Sequence, residues 1–329
     1  MKSARSYIEA AHSVYIACHV LPDGDAIGSL LALGLALRKV GKACTLACAD
    51  PLPAKYDFLP DAREIVSRPP GGEDLLVTVD VSDVERLGSL YDEAAFHSRP
   101  VLNIDHHVTN TRFGTLNLIR PLPSTAEIVY ALLRGLHIVL DADIATALLT
   151  GLVTDTRCFR TGNVTTRQLR TSIAWMNAGA SLPQVNALVY DREPFAMICL
   201  WGQALAGVQR RAGIVWAEID RDMLSRCSAS PMEADGLVSF LASAQGMDAA
   251  VVFRVKQNGR IEVSMRAAPA WDLSGVALSL GGGGHPRAAG CIVDGPMAVA
   301  RERVLQAIEA ALRDQAQTSG DRKLETGNP

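Results

Sequence analysis

The sequence predicts an α/β protein in two parts: an N-terminal domain on a mostly parallel sheet flanked by helices, a helical connector, and a smaller C-terminal α/β domain with a mixed sheet. Three observations lead there. Between Val14 and about Ile104, short β-branched runs (VYIACHV, CTLACA, LLVTVDV, PVLNID) alternate with helical patterns such as AIGSLLALGLALRKVG, the rhythm of parallel strands joined by crossovers. Further on, AAVVFRVK and RIEVSMRA flank Asn258-Gly259, a pair suited to the positive φ angles of a tight turn, so an antiparallel hairpin is expected. At 329 residues and 48% hydrophobic content, the chain exceeds one ordinary domain and has enough apolar material for two cores.

The elements follow in order. The helix near residues 26–40 stops at Gly41, a good C-terminal cap, and Ser124 with Glu127 reads as a capping box opening the helix AEIVYALLRGL. Further helices are expected around 142–154 and 166–178. From about Pro183 to Arg211 the pattern is helical and amphipathic, so the connector is read as a helix and not a coil. GIVWAEI restores the strand signal, LSGVALSL is a short helix, a last helix lies near 297–315, and TSGDRKLETGNP reads as a frayed tail. The expected organisation is therefore 1–185 for the first domain, 186–212 for the connector, 213–315 for the second domain and 316–329 for a disordered tail, with no internal repeat.

Charge narrows the function classes. Lys and Arg total 32 against 35 for Asp and Glu, a net charge of -3, which is a poor footprint for gripping long nucleic acid; any nucleotide ligand is expected to be short. The seven cysteines (Cys18, Cys44, Cys48, Cys158, Cys199, Cys227, Cys291) are scattered without a CxxC pair and are read as reduced core residues. The N-terminus lacks a signal-peptide pattern and no stretch reaches about 18 uncharged apolar residues, so no membrane is expected and the cytoplasm is the default location.

Acidic and histidine residues recur immediately after apolar strand runs, the edge where open parallel sheets bind ligands. His19, Asp23 and Asp25 follow VYIAC; Asp80 follows LLVTV; Asp105, His106 and His107 follow VLNI; Asp155 lies near the end of the apolar helix IATALLTGLVT. Asp23 and Asp25 alone fit a plain turn ahead of a helix, and a lone Asp80 fits a helix cap. Consecutive histidines behind a buried strand are harder to dismiss, because they desolvate poorly without partners. Carboxylate and imidazole donors without thiolate favour a hard or borderline cation: manganese leads, with magnesium, cobalt or iron as alternatives, and a carboxylate such as Asp80 could bridge two ions. Two such ions can activate a shared water for in-line attack on phosphorus. In the second part, Gly281-Gly282-Gly283-Gly284-His285 would let backbone N–H groups approach an anion, with Arg266 and Arg287 as phosphate partners, although exposed strand arginines are often merely solvated.

HVLPDGDAIGS, the Asp80 strand end, NIDHH, GLVTDT and GGGGHPRAAG stand in the order seen in the DHH phosphoesterases. Over about residues 10–312 the chain resembles the subgroup with a DHH-associated C-terminal domain, and is similar to bacterial nanoRNase/pAp-phosphatases. The resemblance implies hydrolysis of RNAs of two to five nucleotides and of 3'-phosphoadenosine 5'-phosphate, with cyclic di-adenylate or a linear dinucleotide as the alternative substrate. It implies that His19, Asp23 and Asp80 hold one manganese and that Asp25, Asp80, His106 and Asp155 hold the other. His107 would contact the scissile phosphate or order its surroundings, and Asp105 would orient the histidine pair. The glycine-rich loop of such enzymes faces an interdomain cleft, so His285 should reach the scissile phosphate and Arg266 a terminal phosphate or base, with Arg160 also facing the cleft. Dimerisation is common among such relatives. Relatives often carry glycine where this chain has Arg157, and serine where it has Ala267. A processive single-strand DNA exonuclease, an inorganic pyrophosphatase and a catalytically silent nucleotide sensor fit less well.

Overall fold

The computed structural model describes residues 2–325, with side chains from 4 to 318. The chain forms two compact units, Met1–Arg192 and Glu193–Pro329.

The first unit runs α1 (Lys2–Ala10), β1 (Ser13–Ala17), α2 (Gly24–Lys39), β2 (Ala43–Ala47), β3 (Leu75–Val79), α3 (Glu93–Ser98), β4 (Val101–Asp105) and β5 (Leu116–Ile119), then α4 (Thr125–Gly135), α5 (Ala142–Asp155), α6 (Thr166–Asn177) and α7 (Leu182–Tyr190). Its five strands are all parallel in the order β2-β1-β3-β4-β5. The centre of the sheet is covered on both faces, and β3 (LLVTV) and β4 (VLNID) are buried at every position. Strand β5 lies beyond the expected strands; at four residues it is too short for its periodicity to stand out beside the turn residues around it.

Helix α2 ends where Gly41 takes a φ of +83°, as expected for its cap. It is apolar nearly all round because neighbours enclose it, and it crosses α5 at Gly28 and Gly151. A Cβ on Gly28 would lie 2.4 Å from the Ala147 carbonyl oxygen, and one on Gly151 would lie 2.6 Å from Oδ1 of Asp25. The two backbones are therefore in contact, and the crossing brings the first turn of α2 beside the last turn of α5.

The expected capping box at α4 is corrected. Ser124 is the N-cap but its hydroxyl is buried without a partner, while Glu127 is buried and accepts from Nε2 of Gln168 at 2.9 and 3.0 Å. Burial turns Glu127 inward, and a carboxylate from another helix takes its place: Asp25 accepts from the backbone N–H groups of Thr125 and Ala126 at 2.5 and 3.0 Å. A true capping box occurs at Thr165 and Gln168, opening α6.

The second unit contains α8 (Phe195–Ala206), β6 (Gln209–Arg211), β7 (Ile214–Ile219), α9 (Arg221–Arg226), α10 (Leu237–Leu241), β8 (Ala249–Val255), β9 (Ile261–Ala267), α11 (Ser274–Ser279), β10 (Gly283–His285), β11 (Ala288–Val293) and α12 (Met297–Glu325). Its mixed sheet has the order β10-β11-β9-β8-β7-β6, with only β7 and β8 parallel. Alternation sends Ile214, Val251 and Phe253 into one core with Val304 and Ile308 of α12, and Val215, Ala217 and Val252 into another with Leu200 and Leu237.

Four expectations change in detail. The stretch from 183 to 211, expected to be helical, is two helices, α7 and α8, broken at residues 191–194, where Pro194 has no N–H to continue a helix, and it ends in strand β6. The hairpin turn is a three-residue loop and not a two-residue one: the Lys256 N–H donates to the Arg260 carbonyl and only Gly259 of the Asn-Gly pair has positive φ, at +81°. Cys199 and Cys227, read as free thiols, form a disulfide; they are 28 residues apart in sequence, and α8 packing beside α9 brings their Cα atoms to 5.6 Å. Helix α12 continues to Glu325, through most of the expected tail, whose last residues, 326–329, lie outside the described residues. Among the described residues, no helix is long and apolar enough to cross a membrane.

Candidate metal centre

Three strands adjacent in the first sheet, β1, β3 and β4, end in polar residues on one rim. His19 follows β1, Asp80 follows β3, and Asp105, His106 and His107 close β4. Two helices add carboxylates to the same rim: Asp23 caps α2 through the backbone N–H groups of Asp25 and Ala26, Asp25 lies in its first turn, and Asp155 is the last residue of α5. The plain turn role of Asp23 is thus real, yet its carboxylate also sits 3.9 Å from Nε2 of His19.

Donor atoms converge in overlapping groups. His19, Asp23 and Asp80 offer atoms within 4.8 Å of one another, as do Asp25, His106 and Asp155, and as do Asp80, Asp105, His106 and His107. Asp80 joins the first two groups: its Oδ2 lies 3.4 Å from Nε2 of His19 and its Oδ1 3.6 Å from Nε2 of His106, which in turn is 3.3 Å from Asp155. The backbone of Asp80 is left-handed, φ +61°, a conformation that Asp tolerates better than most residues, and its N–H is held by the Ile104 carbonyl at 2.9 Å. That turn holds the carboxylate within reach of both imidazoles.

Each histidine is fixed through its other nitrogen. Nδ1 of His19 is 2.7 Å from the Val20 carbonyl and Nδ1 of His106 is 3.0 Å from the Leu122 carbonyl. Those carbonyls take the Nδ1 protons, so that Nε2 of both rings, on giving up its own proton, would offer its lone pair to a cation. His107 turns differently: its Nδ1 is 2.7 Å from Oδ1 of Asp105 and the ring is 41% exposed. Asp105 is fully buried and also accepts from the His106 backbone N–H and from Nδ2 of Asn110 at 2.6 Å.

Among the described residues, none of these five carboxylates forms an ion pair with a Lys or Arg. Burial first, then repulsion from its acidic neighbours, pushes both Asp25 and Asp155 well above the usual carboxylate range. For Asp80 burial acts the same way but is outweighed by the His19 bond and by the charges of His106, His19 and His107, which hold it down to about 2. His107 is raised, first by its bond to Asp105. A crowd of carboxylates lacking cationic side chains, with oxygen and imidazole donors only, fits bound divalent cations.

Two residues at this site were not visible in the sequence. Thr125 donates its hydroxyl to Oδ1 of Asp80 at 2.8 Å while its N–H holds Asp25, and Asn110 anchors Asp105. Thr125 was masked by Ser124, read as the cap, and Asn110 carries no pattern of its own.

The remaining expected residues divide between the units. Arg160 is exposed, five residues beyond Asp155. In the second unit, Arg266 and His285 both pair with Ala288 from either side, so the register sets them on one face of the sheet. The glycine-rich run is an edge strand and not an open loop. A Cβ on Gly282 would lie 2.1 Å from the Gly290 carbonyl oxygen and one on Gly284 would lie 2.5 Å from that of Ala288, so close packing against β11 already requires these two; Gly283 is exposed and faces open space. Arg287 is exposed beside it, its carbonyl bonded by the Ala267 N–H.

The N-terminal domain of the DHH family matches residues 13–152 and the DHHA1 domain matches residues 223–314. The bifunctional oligoribonuclease and PAP phosphatase NrnA of Thermus thermophilus is 36% identical over 91% of this chain and 90% of its own length. The protein of the same name from Bacillus subtilis is 26% identical over 84% of this chain and 87% of its own. An exopolyphosphatase-related protein from Bacteroides fragilis has the same fold, with a TM-score of 0.88 at 21% identity over 96% of this chain and 97% of that one. The chain belongs to the DHH family of hydrolases, with a DHHA1 domain after the DHH domain.

Proposed function

We propose that this hydrolase cleaves short oligoribonucleotides and removes phosphate from 3'-phosphoadenosine 5'-phosphate, using two divalent cations, manganese first, with magnesium or cobalt as substitutes. The observation that carries this reading is Asp80, whose two oxygens face one histidine of each donor group. His19, Asp23 and Asp80 would hold one ion, and Asp25, Asp80, His106 and Asp155 the other. Bound there, such ions supply a water of low pKa and offset charge on the phosphoryl oxygens. The names of the Thermus and Bacillus relatives support the substrates.

The chain's own groups do the rest. His107, held at Nδ1 by Asp105, presents its other ring nitrogen to the phosphoryl group. Thr125 steadies Asp80, and the carbonyls of Val20 and Leu122 keep Nε2 of His19 and His106 aimed inward. In the proposed organisation, residues 1–185 form the metal domain, 186–212 a connector that holds the end of α7, then α8 and the edge strand β6, and 213–315 the substrate domain. Arg266, His285 and Arg287 bind the nucleotide's phosphates and Gly282, Gly283 and Gly284 let it approach; Gly283, with nothing over it, gives the closest access. Arg160 adds a further cation.

The test compares release from dinucleotide RNA, short oligomers, 3'-phosphoadenosine 5'-phosphate, cyclic di-adenylate and pyrophosphate by one preparation with manganese and with chelator. Turnover of the first three, lost with chelator and in Asp80→Ala, is expected. Failure of metal-loaded protein to release mononucleotide from any RNA rejects the reading.

A further inference from the structure

A cavity of about 880 Å³, lined by both charged and apolar side chains, lies within the second unit and has no part in the proposed chemistry. Its walls include Arg221, Arg254 and Lys256, the amide of Asn258 on the hairpin loop, and the apolar side chains of Leu224 and Pro231. Strand register separates it from the glycine strand. The β8–β9 ladder runs from Val255 paired with Ile261 at the cavity end to Ala249 paired with Ala267 at the other, and Arg266, Ala288 and His285 belong to that far end. Six residues of strand amount to about 20 Å.

The charges in the cavity do not cancel. Arg254 pairs with Glu262 across the ladder, and Lys256 reaches the same carboxylate only at 3.9 Å. Arg221 donates through one nitrogen to the carbonyls of Lys256 and Gln257, and among the described residues it has no carboxylate partner. Three cations against one carboxylate leave two positive charges beside an apolar wall and a side-chain amide. The opening also sits at the carboxyl ends of β7 and β8, the one parallel pair in this sheet, which is where parallel strands offer ligand sites.

From these features we infer that the cavity binds a mononucleotide: phosphate against Arg221 and Lys256, base or sugar against Leu224 and Pro231, with Asn258 as a hydrogen-bonding partner. The volume falls in the range of about 300–1,000 Å³ typical of small-molecule sites. None of the cavity's lining residues belongs to the donor groups of the first unit, so its occupancy needs no metal and no turnover.

The full chain, stripped with chelator, is titrated calorimetrically with AMP, adenosine and inorganic phosphate. In an Arg266→Gln background, which removes a phosphate contact of the proposed substrate site, AMP is expected still to bind, with that remaining affinity reduced about tenfold when Arg221→Gln or Lys256→Gln is added, because each removes one charge-assisted contact. Lys256→Gln guards against loss of structure, since Arg221 also ties the hairpin backbone and Lys256 does not. Phosphate should bind more weakly than AMP, and adenosine more weakly than phosphate. AMP binding that ignores both cavity substitutions, that disappears in Arg266→Gln, or that adenosine matches overturns the inference, as does no binding up to about 10 mM AMP.

Discussion

Replacing Gly28 by Ala tests whether the contact between α2 and α5 builds the metal centre. The added Cβ would lie 2.4 Å from the Ala147 carbonyl oxygen, and side-chain carbons essentially never approach a heavy atom closer than 3.0 Å, so the helices must part by the difference, 0.6 Å. Overpacking of this kind costs about 1–3 kcal/mol. Against it, Ala is a better helix former than Gly by about 1 kcal/mol. Gly202, inside α8 with nothing within 4 Å of an added Cβ, isolates that second effect. Subtracting one variant from the other removes the common helix term and leaves a difference of about 1–3 kcal/mol, with Gly202→Ala more stable than wild type and Gly28→Ala less stable than Gly202→Ala. Urea unfolding followed by circular dichroism measures both. Because Asp25 and Asp155, proposed as metal ligands, ride on these two helices and such ligands tolerate shifts of only about 0.2 Å, manganese affinity should fall in Gly28→Ala and stay constant in Gly202→Ala. Equal stabilities for the two variants, or undiminished metal binding by Gly28→Ala, refute the reasoning.

Other outcomes follow from the same geometry. Arg157 has a left-handed backbone, φ +48°, at the head of three consecutive such residues, so Arg157→Gly should stabilise the fold by about 1 kcal/mol in urea unfolding, and a loss of stability contradicts the strain argument. Asp105→Asn should lower turnover about tenfold to a hundredfold while leaving manganese content unchanged, since Asp105 holds Nδ1 of His107 and is not among the proposed ligands; a drop in bound metal would instead make it a ligand. Asp25 and Asp155 have folded-state values raised above the unfolded value of about 3.9, so their contribution to metal-free stability is present below that pH and lost as pH rises through the raised values. Manganese, which relieves the repulsion, should therefore raise the unfolding temperature more at about pH 8 than at about pH 5.5, and equal shifts contradict this.

Much of the first unit was legible because its strands end abruptly in Asp and His, so the apolar runs that reveal β1, β3 and β4 also point to the rim. What escaped depends on partners distant in sequence. Thr125 reaches Asp80 and Asp25 only because α4 starts over the first turn of α2, a hundred residues away in the chain. Local pattern named Ser124 and Glu127 as a cap, but burial drew Glu127 to Gln168 and left the helix end to Asp25. Glycines have no side-chain periodicity, so the strand 283–285 read as a loop, although β11 packs too closely for any other residue at 282 or 284. Arg157 is the reverse case: the backbone it occupies is one that glycine adopts freely, so nothing in the local residues announces the left-handed turn there.

The paired donor groups joined through Asp80 carry the account, and equilibrium dialysis of the chelator-stripped chain against Mn²⁺ reads them directly. Two ions bound per chain, falling to one or none in Asp80→Ala, is the expected result. A single ion in the unaltered protein, or a pair that survives the loss of Asp80, contradicts it.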